Sequence, residues 1–501
     1  MVGETIGIIG AGVMGRGIAQ LFLQAGHRVS LFDANEAAVE GACAFVNQML
    51  DRQVAKQSLG AAERAAIGER LAGCSAIDQL ADCSIVIEAI VENLEAKQSL
   101  FRQLEPLVDV DCILGTNTSS LLISEIAGGC ERPERVVGVH FFNPVPLMKV
   151  AEIIPGTLTS AAVADRARTL VEQAGHRAVI AGDQPGFLVN HAGRALYTEG
   201  LRLIEERVAT VSEVDRLVRE AMGFRMGPFE LLDLTGLDVS AKVMQSIYDQ
   251  FQQEPRYRPS PLVPPRLGAG LFGRKTGRGF YTYVDGQKQD QEPDRSKSAP
   301  LPLGIRLVGD DRRVEVEVLC ASVGCVTSGE HSAETPILLL SLWGEDVSTA
   351  ASRLGLDAAR CVALDPITDF ERRRTLMKSP ATAGETVAGV RALLESDGVA
   401  VSEIADSCGF VAQRMLAMIV NTGCEIAQRG IASPADIDDA VRIGLGYPSG
   451  PLALGDRLRP ARLLRILEAM LATTGDPRYR PSHWLRRRGL LGLSLREEQA
   501  A

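Results

Sequence analysis

Near its start the chain carries an arrangement that few folds can accommodate. An apolar, strand-like run, Ile6-Gly7-Ile8-Ile9, leads into Gly10-Ala11-Gly12-Val13-Met14-Gly15 and then a helical pattern through Ala25. A second such run, Val29-Ser30-Leu31-Phe32, ends at Asp33. Glycines at this spacing say little alone, but strand, glycines, helix, strand and acid follow one another here as a dinucleotide-binding βαβ unit requires. The glycines let the backbone approach a pyrophosphate at the helix N-terminus, where unpaired N–H groups and the dipole favour an anion. Gly10, Gly12, Val13, Met14 and Gly15 are therefore expected to line the cofactor. Asp33 is placed to accept hydrogen bonds from the adenosine ribose. A carboxylate there repels a further phosphate, so the expected cofactor is NAD rather than NADP.

Beyond Asp33 the periodicity predicts helices over 37–52 and 61–71 before strand character resumes at 84–89. A connection of that length is an insertion, and insertions at this edge of a sheet carry function. Lys56, between the two helices, reads either as a phosphate contact or as a solvated lysine. Glu92 and Lys97 flank the next helix start. Cys112-Ile113-Leu114-Gly115 is a further strand, delivering Thr116-Asn117-Thr118-Ser119-Ser120 to the same edge. One of these serines is expected to cap the following helix, which leaves Ser119 open between a cap and a substrate contact.

The run Val136-Val137-Gly138-Val139 has the pattern of a buried parallel strand and ends at His140. Ligands bind at the carboxyl ends of strands in open α/β sheets. Pro144 and Pro146 then exclude helix and ladder, which leaves an irregular connection, and Glu152 follows near enough to fold back on the imidazole. A histidine oriented by a carboxylate is a general base for an alcohol proton; the alternative is a surface histidine beside an unrelated glutamate. Further on, Asp183 and Pro185 look like a helix start, with Asn190 about one turn in.

The 501 residues suffice for two to four domains. A net charge of −10 argues against nucleic acid or an anionic membrane as partner. Ten cysteines, scattered singly with no Cys-x-x-Cys, point to a reducing compartment and no metal cage. With no basic-then-apolar leader and no apolar run of about 20 residues, the expected location is the cytoplasm.

Taken together, six motifs resemble those of the (S)-3-hydroxyacyl-CoA dehydrogenases of the β-oxidation type. They are Gly10-Ala-Gly-Val-Met-Gly15, Val91-Glu-Asn-Leu94, Asn117-Thr-Ser-Ser120, His140-Phe-Phe-Asn-Pro-Val-Pro146, Gly186-Phe-Leu-Val-Asn190 and Gly277-Arg-Gly-Phe-Tyr281. The resemblance covers residues 1 to about 283. It implies that His140 is the catalytic base, Glu152 its partner, Ser119 a substrate contact and Asn190 a helix-borne substrate contact. It also implies NAD contacts at Asp33, Glu92, Lys97, Ser119, Asn143 and Lys275, a coenzyme A contact at Lys56, and an acyl-CoA substrate whose chain cannot be read from the motifs. Two other readings stand beside it: a dehydrogenase of small β-hydroxy acids, and a catalytically silent NAD-binding structural or sensor protein.

The rest of the chain repeats part of what precedes it. A shift of 223 positions takes Gly186 to Gly409, Phe187 to Phe410, Thr210 to Ser433, Asp215 to Asp438, Gly227 to Gly450, Pro228 to Pro451 and Asp233 to Asp456. Pro255-Arg-Tyr-Arg-Pro-Ser260 recurs as 477–482. At a shift of 225, His140 falls on Asp365 and Glu152 on Met377, while Asn190 falls on Gln413 at 223. The expected fold is therefore α/β: a Rossmann-like NAD-binding domain over 1–182, a helical domain over 183–283, a polar linker over 284–329, a reduced Rossmann-like segment over 330–400 and a second, catalytically silent helical domain over 401–501. Long bacterial members of the family, including those of phenylacetate degradation, are similar in layout. In the short relatives the helical domain is the dimer interface, so the expected state is a monomer with an intrachain pseudo-dimer, or else a homodimer.

Overall fold

The computed structural model describes residues 3–289, 299–327 and 336–498. It divides into two compact units, Met1–His191 with Arg429–Leu445, and Ala192–Gln428 with Gly446–Ala501.

The first unit is built on an eight-stranded sheet. Its strands are β1 (Thr5–Ile9), β2 (Arg28–Phe32), β3 (Leu71–Cys74), β4 (Ile85–Glu88), β5 (Ile113–Thr116), β6 (Val136–Phe141), β7 (Val150–Pro155) and β8 (Arg177–Ile180). They lie in the order β3-β2-β1-β4-β5-β6-β7-β8, and only the β6–β7 pair is antiparallel. Ile6, Ile8, Val86, Ile87, Leu114, Val137 and Val139 are fully buried, as continuous apolar runs in a sheet covered on both faces must be. Helix α1 (Val13–Gln24) follows the glycine loop, and α2 (Glu36–Ala55) and α3 (Ala61–Gly68) form the insertion.

The chain returns to the sheet earlier than the pattern indicates. The second helix of the insertion ends at Gly68, and Leu71-Ala-Gly-Cys74 pairs with β2 as the edge strand. Ala72 and Gly73 are exposed there, so neither side-chain size nor alternation marks the strand. Asp183 does not open a helix of its own. Its carboxylate accepts hydrogen bonds from Ile123 N and Ser124 N, both at 2.8 Å, and so caps the helix Ile123–Ala127. Neither Ser119 nor Ser120 is that cap.

The tail also contributes to this unit. The helix Pro434–Gly444, expected within a separate domain, packs on β7 and β8.

In the second unit a hairpin, β9 (Thr282–Val284) and β10 (Gln287–Gln289), closes the first helical stretch. A six-stranded sheet follows, with β11 (Gly304–Val308), β12 (Val326–Thr327), β13 (Ile337–Ser341), β14 (Cys361–Leu364), β15 (Arg374–Lys378) and β16 (Val401–Ala405). Its order is β12-β11-β13-β14-β15-β16, and β14–β15 is antiparallel as β6–β7 is. The reduced Rossmann-like segment thus begins at Gly304 rather than 330, inside the expected linker, and ends at Ala405 rather than 400. Its first strand escaped notice because it lost the glycine fingerprint. Gly309 alone remains, at φ +107°, matching Gly10 at φ +106°, and Asp310 and Asp311 follow it.

The helical copies pack on each other inside this unit, through Arg194–Glu205 and Val411–Gln428. Repeat-matched glycines allow equivalent close approaches: a Cβ on Gly200 would fall 2.8 Å from Pro228, and one on Gly423 2.9 Å from Pro451. Contacts between the two Pro-Arg-Tyr turns are reciprocal. Arg256 donates to Arg480 O at 3.0 Å, and Arg478, its repeat equivalent, donates to Arg258 O at 3.2 Å. Arg480 pairs with Glu254 at 3.3 Å and Arg258 with Asp476 at 3.7 Å. Residue i meeting j′ while j meets i′ is the signature of a two-fold interface.

Candidate active site

The antiparallel return of β7 along β6 places Glu152 directly opposite His140 in register. The imidazole Nδ1 lies 2.5 Å from Glu152 Oε2, with the histidine 4% and the glutamate 0% exposed. The other carboxylate oxygen, Oε1, accepts from Leu188 N at 2.9 Å and Val189 N at 2.7 Å. With two backbone donors fixing Oε1, Oε2 is left to accept from an Nδ1–H tautomer. Nε2 is then the nitrogen that can take a proton. Phe142 packs edge-on to the imidazole at a centroid distance of 4.5 Å, and Phe187 lies tilted at 5.8 Å. Asn190, half-buried, is the second residue of the short helix Val189–Ala192, next to the amide that holds Glu152.

A second polar cluster lies beyond β4 and β5. Glu92 Oε1 accepts from Thr118 Oγ1 at 2.8 Å, Ser119 N at 2.9 Å and Ser120 N at 3.0 Å. Lys97, 1% exposed, sits between Glu88 at 2.6 Å and Glu92 at 3.3 Å. Burial opposes the charge on Glu92, but Lys97 and the hydroxyl and amide donors outweigh it and hold its carboxyl below the usual range. Glu88, which the sequence reading passed over, also accepts from Thr116 Oγ1 at 2.7 Å and Ile90 N at 2.7 Å. An acid ending an otherwise apolar strand was the available signal. Asn117 Oδ1 accepts from Phe141 N at 2.8 Å and so ties the end of β5 to the end of β6.

The glycine loop fits a dinucleotide. A Cβ on Gly15 would fall 1.7 Å from Gly10 O, and one on Gly10 2.5 Å from Ala89 O. These positions must be glycine for the loop to turn so tightly. A Cβ on Gly12 would meet nothing within 4 Å, and the N-cap of α1 makes no side-chain hydrogen bond, as suits a loop whose helix start is left for an anion. Asp33 accepts from Ala11 N at 2.8 Å and Asn35 N at 2.9 Å, which leaves each oxygen able to accept again.

The remaining expected contacts are not drawn into these clusters. Lys56 is exposed at the C-terminus of α2, where a cation complements the helix dipole. Asn143 is exposed just past β6. Lys275 belongs to the second unit, where it pairs with Asp238 at 2.6 Å.

In the second copy, β14 and β15 run so that Asp365 N donates to Thr375 O at 3.0 Å. The residue facing Asp365 is thus Thr375, and the alignment of Glu152 with Met377 is out by two positions because the intervening loop is shorter. Asp365 is buried, which pushes its carboxyl up to about 7 against the hydrogen bond from Gln413 at 3.0 Å.

Comparison with known proteins identifies relatives of the whole chain. The model of the 3-hydroxyacyl-CoA dehydrogenase NAD-binding domain matches residues 5–184. That of the 3-hydroxyacyl-CoA dehydrogenase C-terminal domain matches twice, at 186–283 and 409–500. The 3-hydroxyadipyl-CoA dehydrogenase of Escherichia coli K12 is 35% identical over 491 residues, covering 97% of this chain and 98% of its own. A 3-hydroxybutyryl-CoA dehydrogenase of Bradyrhizobium diazoefficiens is 36% identical over 280 residues, covering 56% of this chain and 95% of its own. The crystal structure of a 3-hydroxybutyryl-CoA dehydrogenase from Escherichia coli K12 superposes with a TM-score of 0.84 at 34% identity, over 98% of this chain and 99% of that one. Over nearly its whole length, then, the chain belongs to the 3-hydroxyacyl-CoA dehydrogenase family and takes NAD as its cofactor.

Proposed function

We propose that the chain reversibly oxidises the 3-hydroxyl of a short-chain or dicarboxylic (S)-3-hydroxyacyl-CoA, of the 3-hydroxybutyryl or 3-hydroxyadipyl type, to the ketone. The observation that carries this reading is the buried pair His140–Glu152, with its second carboxylate oxygen held by two amides. His140 Nε2 takes the hydroxyl proton, and Glu152 keeps the tautomer and stabilises the imidazolium. NAD, when bound, would supply the acceptor for the hydride, the C3 hydrogen leaving with its bonding pair. Ser119 and Asn190 position the substrate oxygen. Gly10, Gly12, Val13, Met14 and Gly15 seat the pyrophosphate, Asp33 the adenosine ribose, and Glu92, Lys97, Asn143 and Lys275 the rest of the cofactor. Lys56 meets a phosphate of coenzyme A. Base catalysis contributes roughly 10²–10⁴-fold, and positioning adds to it.

The substrate range rests on the full-length relative, which is named for 3-hydroxyadipyl-CoA, and the shorter ones, named for 3-hydroxybutyryl-CoA. NADH oxidation with acetoacetyl-CoA and a panel of 3-ketoacyl-CoA thioesters, including 3-ketoadipyl-CoA, tests it. Turnover is expected with at least one member, and none with any would end this reading. Comparing kcat/KM for NADH and NADPH should favour NADH, and equal values would remove Asp33 from the ribose.

The reciprocal contacts of the Pro-Arg-Tyr turns support an intrachain pseudo-dimer, in which the second copy does for the first what a partner subunit does in shorter relatives. That copy should bind no cofactor, because Asp310 and Asp311 set two carboxylates where the first copy has Ala11 and Gly12. Calorimetric titration should find one NADH per chain. A stoichiometry of two would refute the assignment.

A further inference from the structure

The helix Pro434–Gly444 comes from the silent copy yet belongs to the unit holding His140 and Glu152. It is fastened along its length. Just before it, Ile431 O accepts from Gly182 N at 2.6 Å. In its first two turns, Asp436 and Asp439 accept from the Arg177 guanidinium of β8 at 2.6 and 3.1 Å. At its last residue, a Cβ on Gly444 would fall 3.2 Å from Val150 Cγ1 and 3.3 Å from both methyls of Val189. Val150 opens the strand that carries Glu152, and Val189 N donates to Glu152 Oε1. The end of this helix therefore packs against the side chains of Val150, two residues before Glu152, and of Val189, whose amide is one of the two that hold the glutamate.

We propose that the helix Pro434–Gly444 is a positioning element for the His140–Glu152 pair, so that turnover depends on a copy carrying no catalytic group of its own. The inference rests on that pair being the catalytic one. Its physical basis is close packing: interiors transmit small displacements, and a Cβ at Gly444 would require the helix or the two valines to move by a few tenths of an ångström. A shift of Val189 N or of β7 moves the carboxylate relative to Nδ1. The arginine and its two aspartates hold the helix at the right depth.

Gly444→Ala tests this by wedging the helix outward. Since a misplacement of about 1 Å costs roughly 10²-fold, a shift of a few tenths of an ångström should lower kcat about 5- to 10-fold. KM for NADH should stay unchanged while kcat falls, a split that general unfolding would not produce. Gly444→Ala combined with Val189→Ala should recover most of the loss by returning the space. The double variant Asp436→Asn/Asp439→Asn loosens the other end without adding bulk. It should lower kcat with little change in Tm, because these ion pairs are partly exposed to solvent and so stabilise the fold only weakly. Should Gly444→Ala fail to fold, this second variant gives the answer. Wild-type kcat in the variants that fold, or a loss that tracks unfolding and is not rescued by Val189→Ala, overturns the proposal. His140→Gln is assayed beside them: if it keeps turnover, the reading of the site has failed, whereas an inactive His140→Gln with unimpaired helix variants sinks this inference alone.

Discussion

His140→Gln should lower kcat by about 10²–10⁴-fold, the range of a lost general base, with NADH affinity and folding nearly unchanged. Glutamine keeps much of the volume but cannot take the hydroxyl proton. Glu152→Gln should fall almost as far, for a different reason. Two backbone donors, Leu188 N and Val189 N, require an oxygen at the Oε1 position. The amide must then turn its NH₂ toward Nδ1, which makes Nδ1 the acceptor and leaves the proton on Nε2. A base with its proton on the reacting nitrogen is in the wrong tautomer, a fault that costs about 10⁴-fold in the serine-protease triad. Steady-state kinetics on both variants decide the matter. Wild-type turnover in His140→Gln would place the base elsewhere.

The second large effect concerns stability. Arg414, in the second helical copy, is fully buried and bonds Glu199 at 2.7 Å and Glu206 at 2.6 Å, both in the first copy, and Tyr479 at 2.9 Å. Glu199 is itself 1% exposed at its side chain. Breaking a buried pair by removing one partner typically costs about 3–5 kcal/mol, because the abandoned charge has neither water nor a counter-ion. Arg414→Met should therefore lower the unfolding free energy read from a urea titration by an amount of that order. Adding Glu199→Gln should recover part of it by removing the stranded charge. Since the network joins the two copies, the helical unit should melt in one shifted transition rather than two. A loss below about 1 kcal/mol, the range of exposed pairs, would mean that the copies are held together elsewhere.

What could be read along the chain was what local spacing controls. The phosphate loop is legible because a pyrophosphate site is one strand, one turn and one helix N-terminus, all set by neighbouring residues. The helical repeat is legible because both copies keep the residues that fasten them. Asp215 accepts from Phe229 N and Glu230 N, Asp233 from Phe280 N and Tyr281 N, and Asp456, the repeat equivalent of Asp233, from Leu495 N. Thr210 and Ser433 cap equivalent helices. His140 and Glu152 were legible as a pair because twelve residues separate them, a distance that one reversal of the chain closes.

Their register was not legible, nor were Leu188 N and Val189 N as the donors that fix the glutamate, since both follow from how β7 lies in the sheet. The edge strand β3 and the opening strands of the second sheet, β11 and β12, were missed because their few residues acquire strand geometry by pairing and carry too little pattern of their own. Asp183 capping a helix some 60 positions upstream and Arg177 gripping Asp436 some 259 positions downstream are contacts between segments that meet only once the sheet has formed. Sequence spacing reports which groups are near along the chain. Which distant groups share a buried site is set by the packing of whole elements, where an unpaired charge or an unfilled space is costly enough to select one arrangement.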